Sequence, residues 1–125
     1  MREAGVPFLA GTDVGVAFMY PGFSLHDDLH ALVQDLWFSR MEALRIVTSN
    51  PHAFYHDQHE HGAIAKGQIA DLVLLDRDPL LNISNTGRVR GVMLRGRWLD
   101  RRSLDDLLAQ IQKQAKNSCT TPLQY

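Results

Sequence analysis

"GAIAKGQIADLVLLDRDPL", residues 62–80, decides how the rest of this chain is read. Ala70 to Leu75 is a near-continuous apolar run of strand length, and Asp78-Pro79 ends it. A run with so little polar alternation suits a strand covered on both faces. Gly62 and Lys66-Gly67 punctuate a shorter strand before it. Toward the C-terminus, an Asn-, Ser- and Thr-rich segment over 82–86 leads into Val89 to Leu94, then Arg95-Gly96, then Arg97 to Leu99. That order reads as a hairpin, with Gly96 supplying a positive φ in the turn. Ser103 with Asp106 has the spacing of a capping box. It opens a helix with Leu104, Leu107, Leu108 and Ile111 on one face, and Lys113 and Lys116 favour its C-terminal end. From Asn117 onward the tail is polar and expected to fray.

Working outward in the other direction, Val6 to Ala10 is a short apolar run closed by Gly11, consistent with a buried strand. It runs directly into Thr12, Asp13 and Gly15. A loop with Pro21 and Gly22 follows. Ser24 with Asp27 is a second capping signature, and Leu25, Leu29, Leu32, Val33 and Leu36 give 25–36 a helical apolar face. Ser39 with Glu42 is a third, opening a helix striped by Met41, Leu44 and Val47. Asn50-Pro51 stops that helix or caps a further short turn carrying Phe54.

The 125 residues are enough for one modest domain with a core, and 45% hydrophobic with 22% charged residues is ordinary globular composition. A formal net charge of -1 gives no bulk attraction to nucleic acid or to an anionic membrane. No apolar run approaches the roughly 20 residues of a membrane span. Cys119 is the single cysteine, so there is neither an internal disulfide nor a cysteine-based zinc spacing, and a reducing cytoplasm is the expected compartment. No internal repeat is visible.

Five blocks occur in a fixed order: "GVPFLAGTDVG", "PGFSLHDDLHALV", "MEALRIVTSNP", "GAIAKGQIADLVLLDRDPL" and "VRGVMLRGRWL". Together they resemble the C-terminal part of the metal-dependent amidohydrolase superfamily, most closely its imidazolonepropionase- and prolidase-related branch. The resemblance covers about Gly5 to Leu108, and the block at 62–80 is its most specific piece. It implies an α/β fold: the end of a (β/α)8 barrel, with its last strand and helices, plus part of an accessory β-sandwich. The implied division is 1–58 for the last βα unit and following helices, 59–100 for sandwich strands, 101–117 for a C-terminal helix and 118–125 for a flexible tail. The strand before Asp13 would be barrel strand eight, and such enzymes place their chemistry at the C-terminal ends of barrel strands.

The resemblance assigns Asp13 as a metal ligand and as the catalytic group that takes the proton of the attacking water. A carboxylate suits both tasks. The implied cofactor is a divalent metal, zinc above others. The family's remaining ligands (a His-x-His pair on strand one, a carboxylate or carboxylated lysine on strand four, histidines on strands five and six) precede the matched segment and are not among these residues. The implied function is therefore the C-terminal segment of a hydrolase acting on C–N bonds of cyclic amides, amidines or dipeptide-like small molecules, inactive as this chain alone. The alternative is a non-catalytic remnant or assembly module. The expected partners are a missing N-terminal barrel segment or a second copy of the chain, with neither nucleic acid nor membrane.

Other residues compete for attention. "AFYHDQHEHG", 53–62, holds His56, His59 and His61. Imidazoles at i, i+3 and i+5 on a loop suggest a metal, but the family carries a variable polar loop at this place. These histidines are read as exposed loop residues, with adventitious nickel or zinc binding at most. His26, at the start of the helix over 25–36, is a candidate for proximity to substrate. Asp27 and Asp28 are expected to serve capping and the helix dipole. Asp71 is expected to hold a turn or a strand end. Trp37, Phe38 and Trp98 are expected in the core or at domain contacts. The Trp37-Phe38-Ser39-Arg40 connection departs from the Gly and Thr-Pro usual in the family.

Overall fold

The computed structural model describes residues 5–13, 15 and 21–119, the side chains of 117–119 excepted. Within them, α1 (Ser24–Gln34), α2 (Arg40–Val47) and α3 (Ser49–Tyr55) precede β1 (Leu72–Leu75). A 3-10 helix, Ile83–Gly87, then leads to β2 (Val89–Leu94), β3 (Arg97–Asp100) and α4 (Arg101–Cys119). The strands form one antiparallel sheet in the order β1-β2-β3.

The core lies in the helical half. Leu29 and Leu32 of α1 meet Ala43 and Ile46 of α2, Phe38 of the connection between them, and Ile83 of the 3-10 helix. Ile83 is 2% exposed and carries the 3-10 helix into this core. The spacing of Leu29 and Leu32 is the i, i+3 stripe expected of a helix with one buried face. Among the three capping signatures only Ser39 acts as read. Its extended backbone (φ -64, ψ 154) lets its hydroxyl accept from the Glu42 amide while Glu42 accepts from the Ser39 amide at 2.8 Å. Ser24 is instead the buried first residue of α1. Phe23 before it is already helical and brings no side-chain cap. At α4 the cap is Asp100, not Ser103: Asp100 Oδ1 accepts the Ser103 N–H at 2.9 Å, and the helix runs from Arg101 to Cys119.

Residues 6–10 are not a strand. Phe8 and Ala10 pack on the core while Leu9 between them is exposed, the alternation of an extended chain. No neighbouring strand pairs with this segment among the described residues. It is held by other means: Asn50 Nδ2 donates to Phe8 O at 3.0 Å, and the Phe8 and Phe38 rings meet edge to face at 5.0 Å. The expected strand after Gly62 is also absent. Turns replace it, because the Gln68 side chain takes over the backbone bonding, accepting from the Ala63 amide and donating to Gln58 O. Nor is β1 covered on both faces, since its two central residues, Val73 and Leu74, are exposed.

The hairpin forms with Leu94 opposite Arg97. Arg95 (φ 48) and Gly96 (φ 78) make the two-residue turn, both in the left-handed region, as a type I′ turn requires. Asp71 Oδ1 accepts the Arg95 N–H at 2.5 Å, and Ala70 O accepts the Gly96 N–H at 3.1 Å, which ties the turn to the chain entering β1. Asp71 thus holds a turn. Trp98 lies across the face of Gly91, where any Cβ would collide with its ring. Between α1 and α2, Trp37 takes φ 59 at a position that would suit glycine, and Phe38 N–H reaches back to Leu32 O at 3.0 Å. Phe38 is buried as expected, whereas Trp37 and Trp98 are exposed.

Candidate functional site

Asp13 follows the anchored segment that Phe8 and Ala10 fix on the helices. It is exposed, and its φ of 47 turns the chain there. Aspartate tolerates this left-handed conformation better than most residues. Among the described residues its carboxylate has no hydrogen-bond partner. By contrast Asp57, Asp71, Asp78, Asp100 and Asp105 each hold a turn, a cap or an ion pair. Val14 and residues 16–20, which follow Asp13, lie outside the described residues.

His26 sits in the first turn of α1, half-buried. Its Nδ1 lies 3.1 Å from the hydroxyl of Thr86, a buried residue of the 3-10 helix sixty positions later. The Thr86 hydroxyl also reaches Ile83 O at 2.9 Å. His26 therefore ties α1 to the element that carries Ile83 into the core.

The three histidines of 53–62 go to different places. His56 is the left-handed C-cap of α3. His59 is exposed, 3.8 Å from Glu60. His61 stacks on His52, with ring centroids 4.9 Å apart and planes 15° from parallel. His52 in turn places Nδ1 2.9 Å from Asp57 Oδ1. Gly62 closes on the His52 ring, leaving 3.2 Å for a Cβ. His52 is the member the sequence reading did not include. Its signal in the sequence is a histidine of α3 five residues before Asp57, beside the denser cluster of His56, His59 and His61. Among the described residues no group of three or more His, Cys, Asp or Glu is placed to hold a metal ion.

Two of the recesses among the described residues are lined without Asp13 or His26. One, of about 190 Å³, lies where residues 5–8 cross α2 and the start of α3, between Phe8, Phe38, Glu42 and Arg45. It is at the opposite end of the anchored segment from Asp13. The other, about 540 Å³, opens between Arg77, Asp78 and Arg88. No helix among the described residues is long and apolar enough to cross a membrane.

The amidohydrolase family profile matches residues 1–100. Among solved structures, the chain is similar to a Bifidobacterium longum protein assigned as a prolidase, at 29% identity and a TM-score of 0.74, over 87% of this chain and 28% of that one. It is similar to molinate hydrolase at 29% identity and a TM-score of 0.70, over 78% of this chain and 24% of that one. A prolidase complexed with N-methylphosphonate-L-proline matches at 33% identity and a TM-score of 0.53, over 59% of this chain and 19% of that one. Comparison with curated protein sequences gives no match. The chain thus spans about a quarter of the length of molinate hydrolase and of the Bifidobacterium protein. With its mixed helices and small antiparallel sheet, and with the profile matching most of its length, this chain belongs to the amidohydrolase family.

Proposed function

We propose that these residues form the C-terminal part of a metal-dependent hydrolase that cleaves C–N bonds in cyclic amides, amidines or dipeptide-like molecules. Asp13 supplies one carboxylate to its active centre. The observation that carries this reading is the position of Asp13: it follows a segment locked onto α2 and α3, turns the chain by a left-handed residue, and keeps its carboxylate out of any structural bond among the described residues. In the barrel that the family resemblance implies, the extended segment before Asp13 takes the place of the last strand, and the C-terminal ends of such strands are where barrel enzymes put their chemistry. The relatives point to the substrate class, since two are prolidases by name and a third hydrolyses molinate.

Amidohydrolases are generally metal-dependent, and a carboxylate is a suitable oxygen donor for a divalent cation such as zinc. One carboxylate is still only one of the three or four protein ligands such an ion needs. The described residues do not fit a complete metal site. The other donors belong to barrel strands outside these 125 residues, and the exposed apolar faces of the sheet and α4 are where such a segment, or a second copy, would dock. What this chain itself contributes is the Asp13 carboxyl group, as an oxygen ligand and general base.

The test is a hybrid in which residues 1–125 replace the matching quarter of the Bifidobacterium relative, assayed on Xaa-Pro dipeptides with added zinc. Asp13→Asn is expected to fold normally and to lose at least about a hundredfold in turnover, the lower end of what a positioned general base contributes. The 125 residues alone are expected to give no hydrolysis above a no-protein control. Equal turnover of the hybrid and its Asn variant removes Asp13 from the mechanism and favours an assembly module.

A further inference from the structure

The hydroxyl of Thr86 has one proton and two neighbours that could receive it: Ile83 O at 2.9 Å and His26 Nδ1 at 3.1 Å. It can donate to only one. Thr86 is buried, 6% exposed, so an unused bond there is not replaced by water at no cost. If the hydroxyl donates to His26 Nδ1, the contact with Ile83 O is lost as a hydrogen bond. If it donates to Ile83 O, its lone pair is left for an N–H from Nδ1, and both contacts are hydrogen bonds. The second arrangement makes two bonds where the first makes one.

We propose that Thr86 is a positioning residue that holds the neutral His26 imidazole protonated at Nδ1, so that Nε2 carries the lone pair and is a hydrogen-bond acceptor. Nε2 has no partner among the described residues. Under the function proposed above, a ligand group that meets Nε2 is a donor, an N–H or an O–H, and a carbonyl or carboxylate oxygen is disfavoured there. That role toward substrate rests on the proposed function. The lock itself does not, and the experiment reads the lock alone.

The experiment is long-range ¹H–¹⁵N correlation of the uniformly labelled 125-residue chain at about pH 9, above the usual imidazole range. His26 is assigned from the loss of its signals in His26→Asn. The expected result is a pyrrole-type Nδ1 and a pyridine-type Nε2. Thr86→Ser keeps the hydroxyl and is expected to keep that pattern. Thr86→Val removes it and is expected to move His26 toward the Nε2–H tautomer, while the His52 pattern, set by Asp57, stays unchanged and reports that the chain is folded. A wild-type His26 protonated at Nε2 overturns the proposal, and so does an unchanged Nδ1–H pattern in folded Thr86→Val. Should Thr86→Val not fold, the wild-type and Thr86→Ser spectra still decide: Nδ1–H in both supports the lock, and Nε2–H in either defeats it.

Discussion

Arg95 occupies φ 48 in the first central position of a type I′ turn, where asparagine is the commoner choice. A left-handed backbone costs a non-glycine residue about 1–2 kcal/mol, with asparagine and aspartate largely exempt. The Arg95 side chain is exposed, and what holds the turn is its backbone N–H on Asp71, which asparagine would keep. Arg95→Asn is therefore expected to raise stability by about 0.5–1 kcal/mol, seen as a higher urea midpoint with an unchanged slope. A lower midpoint would mean that the arginine side chain, not the turn geometry, matters there. The sequence reading placed the turn at Arg95-Gly96 and the positive φ at Gly96, because glycine announces that conformation and arginine does not. Asp13 is singled out in the sequence only through its order among the flanking blocks. His52 is not, because its partner Asp57 and its stacked neighbour His61 are brought to it by turns with no periodic signature.

At the scale of elements, the signatures of helix starts were easier to see than to place. Ser24, Ser39 and Ser103 all precede an acidic residue by three, yet only Ser39 has the extended backbone that lets a hydroxyl turn back onto its helix. At α4 the acidic residue before the helix does the work. Hydrogen bonding from the Ser103 hydroxyl, then from its amide, holds the Asp100 carboxyl below its ordinary value, and Arg102 adds to the effect. A carboxyl lowered in the folded state stabilises fully above its unfolded value near pH 4 and loses that contribution as pH falls through the lower folded value. Amide protection at Ser103 is thus expected to be constant at neutral pH and to fall on strong acidification. In Asp100→Asn, which can still accept the bond, it is expected to stay flat. Carboxyl-detected NMR of Asp100 checks the sign directly: a midpoint at or above the free-aspartate value would contradict it. Strands were harder to read than helices, because 6–10 and the residues after Gly62 have the composition of strands but no partner strand among the described residues. Composition reports what a segment tolerates, and pairing is decided by neighbours.

The distribution of apolar surface over the whole molecule carries the last prediction. Among the described residues the buried hydrophobic core is Leu29, Leu32, Phe38, Ala43, Ile46 and Ile83. Against these, Val73, Leu74, Leu94 and Trp98 of the sheet are exposed, as are Leu107, Leu108 and Ile111 along α4. Fully burying one such side chain is worth about 1.5–3 kcal/mol, so faces of this size are unusual on a stable monomer. Among the described residues β1 and β3 each pair only with β2, which leaves both edges of the sheet open there to a further strand. The 125-residue chain on its own is therefore expected to self-associate or to be only marginally stable. Sedimentation equilibrium should show a mass rising with concentration, or calorimetry a broad transition at low temperature. Leu74→Lys and Ile111→Lys separate the two faces. Each places a charge where a partner would have to bury it, so the variant at the associating face should return to monomer without a large change in far-UV circular dichroism. If the wild-type chain is monodisperse, monomeric and melts in one sharp transition, these faces need no partner. The case for docking onto further barrel strands would then rest on the length of the relatives alone.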